Sequence, residues 1–123
     1  MAISFAYSTD YNPSAPVVEI TVKAEREVTL QALLDSGADA TMISITTLRT
    51  IKARFARTHS MRGVIGRARS VELYFVEIQI GSYKIPGIRA VAAEAGAQAI
   101  IGRDVLNQLI VTLDGISGIT DIS

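Results

Sequence analysis

The sequence predicts a single, mostly β domain with one or two short helices. Short runs of β-branched and aliphatic residues recur along the chain, separated by turns rich in Gly, Pro and Ser. A helical apolar period stands out in only one stretch, residues 44–57. A chain of 123 residues, 49% hydrophobic and 20% charged, suffices for one packed core and leaves no room for a second. Residues 1–123 are therefore read as one domain, with no repeat, low-complexity segment or interior linker.

Residues 3–7 can form a short strand, followed by a proline-bearing loop over 8–16. Residues 17–22, Val-Val-Glu-Ile-Thr-Val, form a β-branched run and read as a strand. In 28–34, Val28, Leu30, Ala32 and Leu34 alternate with Thr29, Gln31 and Leu33, which predicts a second strand with one more apolar face. That strand runs into Asp35-Ser36-Gly37-Ala38, where Gly37 permits a sharp turn. A helix is predicted over 44–57: Ile45, Leu48, Ile51 and Phe55 recur at steps of three and four, and Ser44 suits the N-cap. Arg49, Lys52, Arg54 and Arg57 would then gather toward its C-terminal half, where the helix dipole favours cations.

Residues 61–80 read as a long hairpin with Gly63 and Gly66 near its tip. Within it, Val71, Leu73 and Phe75 alternate in one phase and Val76, Ile78 and Ile80 in the other. A β-bulge or a strand buried on both faces produces such a switch. Gly81-Ser82 is a turn, 85–91 a further strand, and 100–102 the end of another. A short helix is allowed over 103–109. Residues 111–115 and 116–122 suit a last hairpin.

Composition narrows the chemistry. Twelve basic and twelve acidic residues give zero net charge, unlike a protein built to hold a polyanion. No cysteine is present, so disulfides, thiolate metal sites and a Cys–His dyad are excluded. His59 is the one histidine and cannot make a zinc site alone; no metal or cofactor is expected. A Ser–His–Asp triad through His59 is formally open, but no nucleophile-elbow motif accompanies it. The first ten residues lack a basic start and a long apolar run, and no stretch has the length of a membrane span. The expectation is a soluble, cytoplasmic protein with no membrane or nucleic-acid partner.

Activating water against an amide takes one ionised carboxylate as base and one protonated carboxyl to polarise the carbonyl. Two carboxyls close enough to share a proton are split into such a pair. Asp35 is placed for this work, behind the apolar run Ala32-Leu33-Leu34, which should bury it, and ahead of Gly37. Asp-Ser-Gly is also an ordinary strand-to-turn sequence and decides little alone. Asp104, Asp114 and Asp121 read as turn or cap residues rather than a second catalytic acid.

The wider segment, Leu33-Leu34-Asp35-Ser36-Gly37-Ala38-Asp39-Ala40-Thr41-Met42-Ile43, closely resembles the active-site segment of the retropepsins, the aspartic proteases of retroviruses and their cellular relatives. Downstream, Ala99-Ile100-Ile101-Gly102-Arg103-Asp104-Val105-Leu106 resembles that family's second signature, two apolar residues and Gly before a short helix. Both motifs, with a hairpin between them, span about residues 30–109. The resemblance implies a closed acid-protease β-barrel with a flap hairpin, homodimeric, acting on peptide or protein substrates.

It further implies roles for individual residues. Asp35 would be the catalytic acid/base. Ser36 would join the hydrogen-bonded grip between two active-site turns, and the Gly37 carbonyl would meet substrate backbone. Ala38, Asp39, Ala40 and Ile100 would line the cleft with Val64, Ile65 and Gly66 of the flap. Gly102 and Arg103 would be structural, with an Asp39–Arg103 ion pair bracing the turn. If buried, that pair would cost about 3–5 kcal/mol on loss of one partner. One Asp-Ser-Gly motif on a short chain requires the second carboxylate to come from a second copy. Ala38 lacks a hydroxyl to donate to the carboxylates, so activity is expected at weakly acidic pH.

The flap segment has fewer glycines than retroviral flaps and carries Arg62, Arg67 and Arg69. The 44–57 helix and the 110–123 extension exceed the viral pattern and look more like cellular or bacterial relatives. Three functions are therefore weighed: an active dimeric endopeptidase, a catalytically silent dimerisation or peptide-binding module, and a small β-barrel nucleic-acid binder. An intact Asp35-Ser36-Gly37 favours the first; zero net charge and few aromatics disfavour the third.

Overall fold

The computed structural model describes residues 2–62 and 68–123, and side chains outside 61–68. In chain order the elements are β1 (Ile3–Ala6), β2 (Val17–Lys23), β3 (Glu27–Leu34), β4 (Met42–Ser44), α1 (Ile45–Thr50), β5 (Arg54–Arg62), β6 (Ala68–Ile80), β7 (Tyr83–Ala93), β8 (Ala99–Ile101), α2 (Arg103–Leu106), β9 (Val111–Asp114) and β10 (Ile119–Ile122).

Six strands close a barrel in the order β2-β3-β8-β4-β7-β6, and β6 returns to β2. Closure depends on the length of β6. Its Glu77–Gln79 stretch pairs with β2, while Ala68–Phe75, further along the same edge, pairs with β5. One strand is thus barrel wall at one end and hairpin arm at the other. A separate sheet, β1-β10-β9, lies outside the barrel.

Period-two alternation fills the core. Val18, Ile20 and Val22 of β2 are buried, as are Ala32 and Leu34 of β3, Val76, Ile78 and Ile80 of β6, and Ile101 of β8. Leu48 of α1, Ile51 just after it and Val105 of α2 join the same core.

The phase switch in β6 has a specific origin. Tyr74, Val76, Ile78 and Ile80 share one face, while Val71, Leu73 and Phe75 share the other, so both faces are apolar without a break in the strand. The bulge lies in its neighbour. From Val76↔Ile88 to Ile78↔Ile85, β6 advances two residues and β7 three, and Gly87 takes φ 71°.

The helix expected over 44–57 is shorter. Ser44 does cap it, accepting from the Thr46 N–H, but it ends at Thr50. Lys52 turns the chain at φ 58°, and residues 54–62 form β5. Leu48 and Ile51 are buried as the period required; Phe55 is 48% exposed and meets Tyr74 edge-on at 5.7 Å. Arg54 and Arg57 accordingly belong to a strand, and the hairpin begins at Arg54 rather than at residue 61.

Candidate active site

β3 and β8 run parallel, with Leu34 opposite Ile101, and β4 lies antiparallel on the other side of β8. The chain therefore leaves β3, turns over the end of β8, and comes back as β4. Residues 35–41 form that turn.

Each anchor of the turn is a short contact. The Asp35 N–H donates to the Ile101 carbonyl at 3.0 Å, and the Ala38 N–H donates to the Asp35 carbonyl at 3.1 Å. The Gly37 N–H donates to Asp35 Oδ1 at 2.9 Å, which orients the carboxylate. The Arg103 N–H closes the far side onto the Ala38 carbonyl at 2.9 Å. Gly102 passes directly under the turn. A Cβ there would stand 2.6 Å from the Ala40 carbonyl carbon, so only glycine fits.

Two side-chain braces complete the frame. Arg103 pairs with Asp39 and donates to the Ser36 carbonyl at 2.7 Å. The pair is not buried: the two side chains are 42% and 77% exposed, so the cost of a stranded buried charge does not apply. Thr41 is fully buried, and its hydroxyl donates to Asp104 at 2.8 Å and accepts from the Gly102 N–H at 3.2 Å. Asp104 also accepts from the N–H groups of Thr41 and Val105. This Thr41–Asp104 brace was not visible in sequence, because nothing pairs a threonine with an aspartate 63 positions away.

Against this frame the expected site residues fall into groups. Asp35 sits at the turn as expected but is half-buried in the single chain; the strand buries Leu34 beneath it instead. Ser36 and Gly37 are exposed at the tip. Asp39 and Ala40 border a cavity of about 560 Å³, and Ala38 is half-buried between them and Asp35. Ile100 is half-buried between Leu33 and Met42 and does not line that cavity. Val64, Ile65 and Gly66 lie outside the described residues. Asp104 braces Thr41 from the first turn of α2 rather than capping that helix, Asp114 is a turn residue accepting from the Ser117 N–H at 3.0 Å, and Asp121 pairs with Ser4. The described residues include no cluster of His, Asp or Glu able to hold a metal ion.

The residues that build this crossing, a carboxylate on a turn over a Gly-Arg helix start, lie within the stretch that a known family model matches. The model describing the gag-polyprotein putative aspartyl protease matches residues 20–108. The chain belongs to that family. Solved structures agree on the retropepsin-like fold. A retropepsin-like aspartic protease from Rickettsia conorii superposes with TM-score 0.69 at 12% identity, covering 99% of this chain and 90% of that one. EIAV protease, in complex with the inhibitor HBY-793, gives 0.61 at 22% identity, covering 85% and 93%. No curated protein matches. Within this aspartyl protease family fold, the two sequence motifs are the two segments that cross at Gly102.

Proposed function

We propose that the chain is an aspartic endopeptidase active as a homodimer, in which the Asp35 carboxylates of two copies activate one water. The observation that carries this reading is the solitary Asp-Ser-Gly turn. It is rigidly braced, among the described residues its carboxylate accepts only from the Gly37 N–H, and the other acids near the crossing are occupied.

One carboxylate takes a proton from water as its oxygen attacks the carbonyl carbon, while the protonated partner hydrogen-bonds the carbonyl oxygen. The proton then passes to the leaving nitrogen as the C–N bond breaks. A lone turn holds one of these groups, so the second copy is part of the mechanism.

A surface suited to that copy lies beside the turn. Leu34, Ser36, Leu106, Leu109, Val111 and Leu113 line an apolar hollow of about 280 Å³. Ile110 and Ile116 beyond it are 70% and 102% exposed, and β9 is an edge strand. The Ser36 hydroxyl, exposed and without a partner among the described residues, fits a contact across the twofold axis.

The test is cleavage of a mixed peptide library at about pH 4–7, where a shared-proton carboxyl pair operates, with wild type and Asp35→Asn side by side and sedimentation of both. Cleavage by wild type alone, from a dimer, is expected, with a maximum at weakly acidic pH. A maximum below about pH 3 would remove the role given to Ala38. A stable dimer that cuts nothing would replace the endopeptidase with a silent peptide-binding module.

A further inference from the structure

We propose that the cavity beside the active-site turn takes the carboxylate of an acidic substrate side chain, so that the enzyme selects peptides bearing Asp or Glu near the bond it cuts. This rests on the endopeptidase reading above and adds the chemistry of one side-chain subsite.

Charge is unevenly distributed along this neutral chain. Residues 54–70 hold five of its nine arginines and its one histidine, and no acid at all. Pairing of β5, β6 and β7 sets these residues in rows: Arg57–Leu73–Val91, and next to it Arg54–Phe75–Arg89. Alternation puts both rows on one face of the sheet. That face forms one wall of the 560 Å³ cavity, opposite Asp39 and Ala40.

The cations there differ in how they are used. Arg54 stacks on Phe75, its guanidinium carbon 5.1 Å from the ring centre. Arg57 and Arg89 line the cavity, are exposed, and have no side-chain hydrogen bond or ion pair among the described residues. His59 lines the same wall. The carboxylates opposite do not neutralise them. Asp39 is paired with Arg103, and both oxygens of Asp104 accept from Thr41. Two guanidinium forks thus remain unspent, each matched in shape to a carboxylate. Leu73, Ile88 and Val91 supply an apolar lining for the methylenes of an acidic side chain. A basic substrate side chain would meet two like charges.

The experiment uses peptides in which one Glu is moved, position by position, through the residues flanking a cleaved bond, each compared with its Gln counterpart at about pH 6, where the Glu side chain is ionised. At one position Glu should be cut about five- to tenfold faster than Gln, the scale of a charge-assisted pair at a partly open rim. The ratio should shrink at about 0.5 M salt. It should approach one in the Arg57→Gln/Arg89→Gln double variant, and Arg57→Glu should shift preference toward Lys. Each ratio is read within one protein sample, so a reduced folded fraction does not alter it.

The same peptide pairs are titrated against Asp35→Asn by fluorescence anisotropy. If wild type cuts no peptide, the endopeptidase reading fails, while tighter binding of Glu than Gln still supports the cavity assignment. Equal handling of Glu and Gln at every position, or a preference that survives in the double variant, overturns it. So does displacement of the acidic peptide by a mixed-sequence oligonucleotide at lower concentration than by unlabelled peptide, which would mark the wall as a polyanion surface.

Discussion

Gly102→Ala probes the crossing on which the Asp35 turn rests. The added methyl would stand 2.6 Å from the Ala40 carbonyl carbon, 2.7 Å from its oxygen and 3.0 Å from the Ala38 oxygen. All three are backbone atoms, so no side-chain rotation relieves them. Ordinary contact is about 3.5 Å, and the turn must lift by roughly an ångström to reach it. That motion breaks the 3.2 Å bond from the Gly102 N–H to the Thr41 hydroxyl and strains the 2.9 Å bond from the Arg103 N–H to the Ala38 carbonyl. Overpacking costs about 1–3 kcal/mol and a stranded buried donor about 1–3 more, less about 0.5 for the stiffer unfolded chain. We expect a loss of about 3 kcal/mol, or about 12 °C in Tm for a chain of this size. Urea unfolding at fixed protein concentration measures it, because the proposed dimerisation would make stability concentration-dependent. Gly115→Ala is the control: nothing lies within 4 Å of its would-be Cβ, and it should fall within about 0.5 kcal/mol of wild type. A Gly102→Ala protein within about 1 kcal/mol of wild type would refute the close crossing.

Two identical substitutions should act with opposite sign. Thr41→Val strands the Gly102 N–H and removes a donor to Asp104, for a loss of about 2–3 kcal/mol in urea unfolding. Thr120→Val removes a buried hydroxyl that has no partner among the described residues, and should be neutral or stabilising by up to about 1 kcal/mol in the same assay. Arg103→Ala should cost about 1–2 kcal/mol, since its ion pair is exposed and its bond to the Ser36 carbonyl is single; a loss of 3 or more would mean that the pair is buried in the proposed dimer. The Ser117 N–H holds the Asp114 carboxyl below the usual aspartate range. A depressed folded-state value stabilises above the unfolded one and is lost as pH falls through the folded one. Asp114→Ala should therefore lower Tm at neutral pH, with the gap to wild type closing on acidification below about pH 4.

The legible parts of the molecule were those where backbone geometry restricts residue choice. Gly37 and Gly102 mark a tight turn and a close crossing, and each sits in a short motif, beside Asp35 and Arg103 respectively. β3 was read almost to its ends from its alternation, and β2 from its run of β-branched residues. Residues 44–57 misled because Leu48 and Ile51 satisfy a helical period that Phe55 extends by chance, while the turn at Lys52 uses a residue with no preference for positive φ. β6 looked out of phase because both its faces are apolar, and its bulge lies in a different strand. The Thr41–Asp104 brace and the pairing of Arg57 and Arg89 on one wall were not legible at all. Those depend on barrel closure and on strand register, which residue spacing does not carry.

The crossing at Gly102 also bears on the chain during its synthesis. Ser36 and the Arg103 that holds its carbonyl are 67 positions apart. At about 5–20 residues per second, a ribosome adds that intervening stretch in roughly 3–13 seconds. Throughout that interval Asp35 has been made but its turn has no floor and no brace. Until Arg103 has emerged, a nascent copy therefore carries Asp35 on an unsupported turn, its carboxylate not yet held in place.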